Sequence, residues 1–136
     1  MEERVGAGER ILVVDDEWSI LELLKFRFKR RGYEVFTAHD SDEFVEQAFR
    51  VKPDVIILDI WLRNRLGTEV YDELLRLGFD SDTPVIFITA LVDQQTSNHV
   101  SPRGKFAFYS KPFDFEDLLL DVKRLLEMRR KPQEET

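Results

Sequence analysis

Runs of four to six mostly apolar residues alternate along the chain with longer stretches whose apolar positions recur at three- and four-residue steps. The first pattern predicts strands and the second amphipathic helices. The strand candidates are RILVV from Arg10, EVFTA from Glu34, DVIIL from Asp54, PVIFI from Pro84 and KFAFYS from Lys105. Between the first two, Ile20, Leu24 and Phe28 share a helix face. That stretch closes on KRRG, where cations suit the last turn and Gly32 suits a left-handed cap. In HDSDEFVEQAF, Asp40 is placed to cap a second helix while Glu43 reaches back from its third position. TEVYDELLRLG gives a third helix, ending at Gly78. Phe115, Leu118, Leu119, Val122, Leu125 and Leu126 mark a last one behind an acidic first turn. The polar stretch from Val92 to Arg103 lacks apolar periodicity and contains Ser101-Pro102, so it is the least marked helix candidate.

Strict alternation of strand and helix implies an α/β fold with a parallel sheet covered on both faces, since short crossovers leave few other topologies. The unbroken runs VIIL and VIFI agree, because central parallel strands are buried on both sides. At 136 residues the chain fits one domain, placed at 10–129. Residues 1–9 are expected to form a flexible lead, and 130–136, linker-like in composition, a flexible tail or the start of a linker. With 43% apolar and 35% charged residues, the balance suits an ordered, water-soluble protein.

Composition narrows the function classes. The absence of cysteine removes disulfide and thiolate chemistry. MEERVGAGER lacks the apolar core of a secretion signal, and no run reaches membrane-spanning length, so a cytoplasmic location is expected. Twenty basic against twenty-seven acidic residues give a net charge of −7, which disfavours direct binding to nucleic acid or an anionic membrane. Cations and basic partners fit that surface better.

The residues that close the strands carry the chemistry. In open sheets of this kind ligands bind beyond the carboxyl ends of the strands, where strand order reverses. After the first strand stand Asp15 and Asp16, after the third Asp59, after the fourth Thr89, and after the fifth Lys111. Strands one and three as neighbours would gather three carboxylates, and each like-charge pair at ~4 Å costs roughly 4 kcal/mol at an effective dielectric of about 20. A cation relieves that repulsion. Oxygen donors with no histidine or cysteine beside them select a hard ion, and so few protein ligands leave room for water and phosphate, as Mg²⁺ prefers. Asp59 could then take a phosphoryl group, with Lys111 neutralising charge on the transferring oxygens and Thr89 donating to one of them. Singly, an Asp pair reads as a helix cap and a Thr or KPF as a turn; their joint placement at four strand ends is what points to a site.

These residues and spacings resemble the receiver domains of two-component response regulators, from about Arg10 to Arg129. The matching elements are VVDDE, VIILD ending in Asp59, Gly67 eight residues later, PVIFITA with Thr89 thirty residues after Asp59, and YSKPF with Lys111 twenty-two residues after Thr89. The resemblance implies a flavodoxin-like (βα)5 fold, doubly wound, with a five-stranded sheet in the order 2-1-3-4-5. It implies phosphorylation by a sensor histidine kinase or phosphotransfer protein on Asp59. Asp16, Asp59 and the Trp61 backbone carbonyl would ligate Mg²⁺, with Asp15 helping through water, and Lys111-Pro112 would be cis. It further implies a switch in which Thr89 moves toward the phosphate and Phe108 turns inward. That movement would remodel the face of the fourth helix, fifth strand and fifth helix for an effector domain, a downstream protein or a second copy.

Departures from the family pattern set further expectations. Arg63 stands where a proline is frequent, so the loop WLRNRLG is expected to be looser or shaped for a particular partner. Trp61 and Leu91, each two residues beyond Asp59 and Thr89, hold the positions that tune loss of the phosphoryl group. Neither side chain can act as a base, so self-dephosphorylation is expected to be slow. A haloacid dehalogenase-type phosphatase would need an acid where Trp61 stands, and a flavin module would not place Asp15, Asp16 and Glu17 against a phosphate. The remaining alternative is a receiver-like interaction domain that is never phosphorylated.

Overall fold

Side-chain alternation along the central strands divides the protein into two cores on either side of one sheet. The computed structural model describes residues 3–63, 65–89 and 106–130, the side chains of 106–108 and 130 apart. β1 (Arg10–Val14), β2 (Glu34–Ala38), β3 (Val55–Asp59), β4 (Val85–Thr89) and β5 (Phe106–Ser110) form a parallel sheet in the order β2-β1-β3-β4-β5. This is the doubly wound, flavodoxin-like arrangement that the resemblance implied.

Ile11, Val13, Val55, Ile57, Ile86 and Ile88 face α1 (Trp18–Arg30) and the C-terminal helix (Phe115–Arg130). Their strand neighbours Leu12, Val14, Ile56, Leu58, Val85 and Phe87 face α2 (Ser41–Val51) and α3 (Gly67–Arg76). Burying each such side chain stabilises the fold by about 1.5–3 kcal/mol, so both rows are firmly specified. On α1, Leu21 joins Leu24 and Phe28 in the core, whereas Ile20 is only partly buried against it. All six apolar positions expected of the last helix are buried.

Local signals end the helices largely as their residues require. Gly32 and Gly78 follow α1 and α3 with φ of 103° and 97°, a backbone region open to glycine at little cost. The Asp40 carboxylate accepts the Glu43 N–H at 2.8 Å. Glu43, however, accepts from the N–H of His39 at 3.0 Å, one residue earlier than a capping box prescribes. Asp40→Ala should therefore lower stability by about 1 kcal/mol, measurable as a reduced urea midpoint with an unchanged slope.

Residues 3–9 run along the turn between α1 and β2. The N–H groups of Val5 and Gly6 donate to the Arg31 carbonyl, and that of Gly8 to the Gly32 carbonyl, all at 2.8 Å. The buried Arg31 side chain donates back to the Glu3 carbonyl at 2.6 Å and pairs with Glu116 at 3.0 Å. The expected helix between Val92 and Arg103 and the tail 131–136 lie outside the described residues. No helix among the described residues is long and apolar enough to cross a membrane.

Candidate functional site

Register brings the acids together. β1 and β3 are paired from Ile11↔Val55 to Val14↔Leu58, so one further step sets Asp15 beside Asp59. Neighbouring strands lie about 4.8 Å apart, and carboxylate oxygens of Asp15, Asp16 and Asp59 all fall within 4.8 Å of one another. Asp15 is wholly buried, Asp59 nearly so and Asp16 half-buried. Each buried acid caps the turn that follows it: Asp15 Oδ1 accepts the Glu17 N–H at 2.9 Å, and Asp59 Oδ1 the Trp61 N–H at 3.0 Å.

The loop after Asp59 folds back on itself. Trp61 pairs with Leu66 and Leu62 with Arg65 in a short antiparallel ladder, and the Gly67 N–H donates to the Ile60 carbonyl at 2.6 Å. A Cβ on Gly67 would stand 2.3 Å from the Asp59 carbonyl oxygen, which explains why this position must be glycine. Arg65 forms an ion pair with Glu73 on α3, which ties this side of the loop to the helix that follows.

Lys111 reaches the acids from β5. Its N–H continues the β4–β5 ladder by donating to the Thr89 carbonyl at 2.8 Å, which fixes the lysine beside Thr89. Its Nζ lies 2.9 Å from Asp15 Oδ2, 3.1 Å from Asp59 Oδ2 and 3.0 Å from Glu17 Oε1. The Lys111-Pro112 peptide is cis. Thr89 is fully buried at the end of β4. Asp15, Asp16, Asp59 and Lys111 thus meet at one point, and Thr89 stands at the end of the adjoining strand. Glu17 is the member that strand ends alone do not reveal; its signal is the third acid in VVDDE.

Burial pushes the Asp59 carboxyl up to about 6, with repulsion from Asp15 adding to it and the Trp61 N–H and Lys111 opposing it. Asp15 is likewise raised, first by burial. Burial works against the charge of Lys111 too, but Asp15, Asp59 and Glu17 outweigh it and hold the ammonium protonated. The acids therefore carry more negative charge than one lysine relieves. An oxygen-only cluster of this kind could hold a hard divalent cation.

The positions expected to tune and to switch are placed in part. Trp61 is 48% exposed beside Asp59, while Leu91 lies outside the described residues. Phe108 is paired with Phe87 through the backbone, and its side chain lies outside the described residues. The neighbouring Tyr109 hydroxyl is committed to the C-terminal helix, through the Asp117 carbonyl at 3.0 Å and the Asp121 carboxylate.

Comparison with known proteins agrees with this geometry. Residues 11–123 match the family described as "Response regulator receiver domain". A CheY-like receiver domain protein from Methanospirillum hungatei JF-1 is 27% identical, with a TM-score of 0.80 over 92% of this chain and 98% of the other. The chemotaxis protein CheY4 of Vibrio cholerae is 27% identical, with a TM-score of 0.76 over 88% of this chain and 99% of the other. NtrX from Brucella abortus, 29% identical with a TM-score of 0.78, is matched over 90% of this chain but only 28% of its own length. Sheet order, strand-end chemistry and the match over most of the chain lead to one assignment: the chain belongs to the response regulator receiver domain family.

Proposed function

We propose that this receiver domain is phosphorylated on Asp59 by a sensor histidine kinase or phosphotransfer protein in the cytoplasm. The observation that carries the reading is the convergence of Asp15, Asp16, Asp59 and Lys111 around a buried carboxylate. An oxygen of Asp59 attacks the phosphorus, and the bond from phosphorus to the donor imidazole nitrogen breaks. The electron pair leaves with the imidazole, which takes up a proton. Asp59 is largely ionised at neutral pH even when raised to about 6, so the nucleophile is available. Lys111 neutralises charge on the transferring oxygens, and the Thr89 hydroxyl donates to one of them.

Asp15, Asp16, Asp59 and the Trp61 carbonyl would hold Mg²⁺. When bound, the ion offsets the charge of the acids and of the phosphoryl oxygens. Thr89 then follows the phosphoryl group, Phe108 follows Thr89, and the face that includes β5 and the C-terminal helix changes for an effector, a downstream protein or a second copy. The domain acts as a signalling phosphoacceptor and not as an enzyme on external substrates. Trp61 and Leu91 supply no base beside the phosphoryl group, so its loss by hydrolysis is slow.

Incubation with Mg²⁺ and a small phosphodonor should add the mass of one phosphoryl group, removable by hydroxylamine as an acyl phosphate is. Asp59→Asn and chelation of the metal should each abolish the gain. A mass gain that persists in Asp59→Asn would place the phosphoryl group elsewhere. No gain at all in the folded parent would favour a receiver that works unphosphorylated.

A further inference from the structure

We propose that Glu17 is a positioning residue that competes with the incoming phosphoryl group for the Lys111 ammonium, a latch that phosphorylation must open. The inference rests on the phosphoacceptor reading of Asp59.

A lysine ammonium has three donors and no acceptor. Carboxylate oxygens of Asp15, Glu17 and Asp59 already lie 2.9, 3.0 and 3.1 Å from it. Those of Glu17 and Asp59 are hydrogen-bonded to it, so an incoming phosphoryl oxygen competes with them for the ammonium. Asp15 and Asp59 are buried, with side chains 0% and 5% exposed, and are fixed by the N–H groups of Glu17 and Trp61. The Glu17 side chain is 54% exposed, so it alone of the three can swing into water.

The backbone of Glu17 is meanwhile held firmly. Its N–H donates to Asp15, and its carbonyl accepts from Ile20 and Leu21 to begin α1. Glu17 is the N-cap of α1, yet its side chain makes no capping bond and goes to Lys111 instead. The helix therefore does not depend on the side chain, which is instead one of three carboxylates around Lys111. A half-exposed ion pair of this kind is weak, so the latch should shift affinity severalfold and not by orders of magnitude.

The test is titration of the parent, Glu17→Gln and Glu17→Asp with beryllofluoride at saturating Mg²⁺, followed by calorimetry, with Mg²⁺ affinity measured separately. Glutamine removes the charge. Aspartate keeps it but is shorter by one methylene, about 1.5 Å, and prefers to cap the helix. Both variants should bind beryllofluoride about threefold to tenfold more tightly. Simple repulsion by a nearby charge predicts tightening in Glu17→Gln alone, and that result, or parent-like affinity in both, overturns the latch. A parent that binds no beryllofluoride overturns the phosphoacceptor reading, and the latch with it.

Discussion

Asp59→Asn should make the protein more stable at neutral pH, by about 3 kcal/mol, while destroying its capacity to accept a phosphoryl group. Raising an aspartate from its ordinary 3.8 to about 6 means that the folded state prefers the protonated carboxyl. Each tenfold change in that equilibrium is worth about 1.36 kcal/mol, so ionised Asp59 costs the fold on the order of 3 kcal/mol. The contribution is favourable below pH 3.8 and is lost as pH rises through about 6, because the native state binds more protons than the unfolded state across that window. Asparagine resembles the protonated acid, removes the repulsion from Asp15, and leaves Lys111 paired with Asp15 and Glu17.

Urea unfolding of parent and variant in the presence of a chelator, at intervals from pH 4 to pH 8, checks this. The gap between them should be widest above pH 7 and shrink toward pH 4. Adding Mg²⁺ should stabilise the parent more than the variant and so narrow the gap at neutral pH. A difference that does not vary with pH, or a variant less stable than the parent at neutral pH, would refute the electrostatic account.

Gly67→Ala should reduce stability by about 2–3 kcal/mol and also impair phosphoryl uptake. The added Cβ meets the Asp59 carbonyl oxygen at 2.3 Å and the Leu58 side chain at 3.1 Å. The first of these is main chain and cannot rotate away, so relief requires a shift of the strand end that carries Asp59. Gly78→Ala is the control. Nothing lies within 4 Å of a Cβ there, and the cost comes from a φ of +97°. Both variants should unfold at lower urea, but only Gly67→Ala should slow acquisition of phosphoryl mass from a small donor in Mg²⁺. Equal uptake rates in the two would show that Gly67 serves packing alone.

Much of the fold was legible because its signals are local. VIIL and VIFI are apolar at every position, which only a strand with both faces covered requires, and both proved buried throughout. Gly32, Gly78 and Asp40 act through their own backbone angles or a carboxylate three residues away, and each stands where the pattern put it. The Glu43 bond to His39 was missed by one residue because a flexible side chain selects among adjacent donors only when the turn is built.

The site divides in the same way. Sequence by itself determined which residues close the strands, since an acid or lysine ending an apolar run is visible without any neighbour. Only the tertiary structure decided that β1 and β3 pair in a register that sets Asp15 beside Asp59, that Glu17 shares the ammonium with them, and that Gly67 lies against the Asp59 carbonyl. It likewise decided that Arg65 is spent on Glu73 and that residues 3–9 bond to the end of α1. Those contacts join segments distant in the chain or turn on which way a long side chain points. Both depend on packing that apolar periodicity leaves unspecified, and the desolvation that raises Asp59 exists only once that packing is complete.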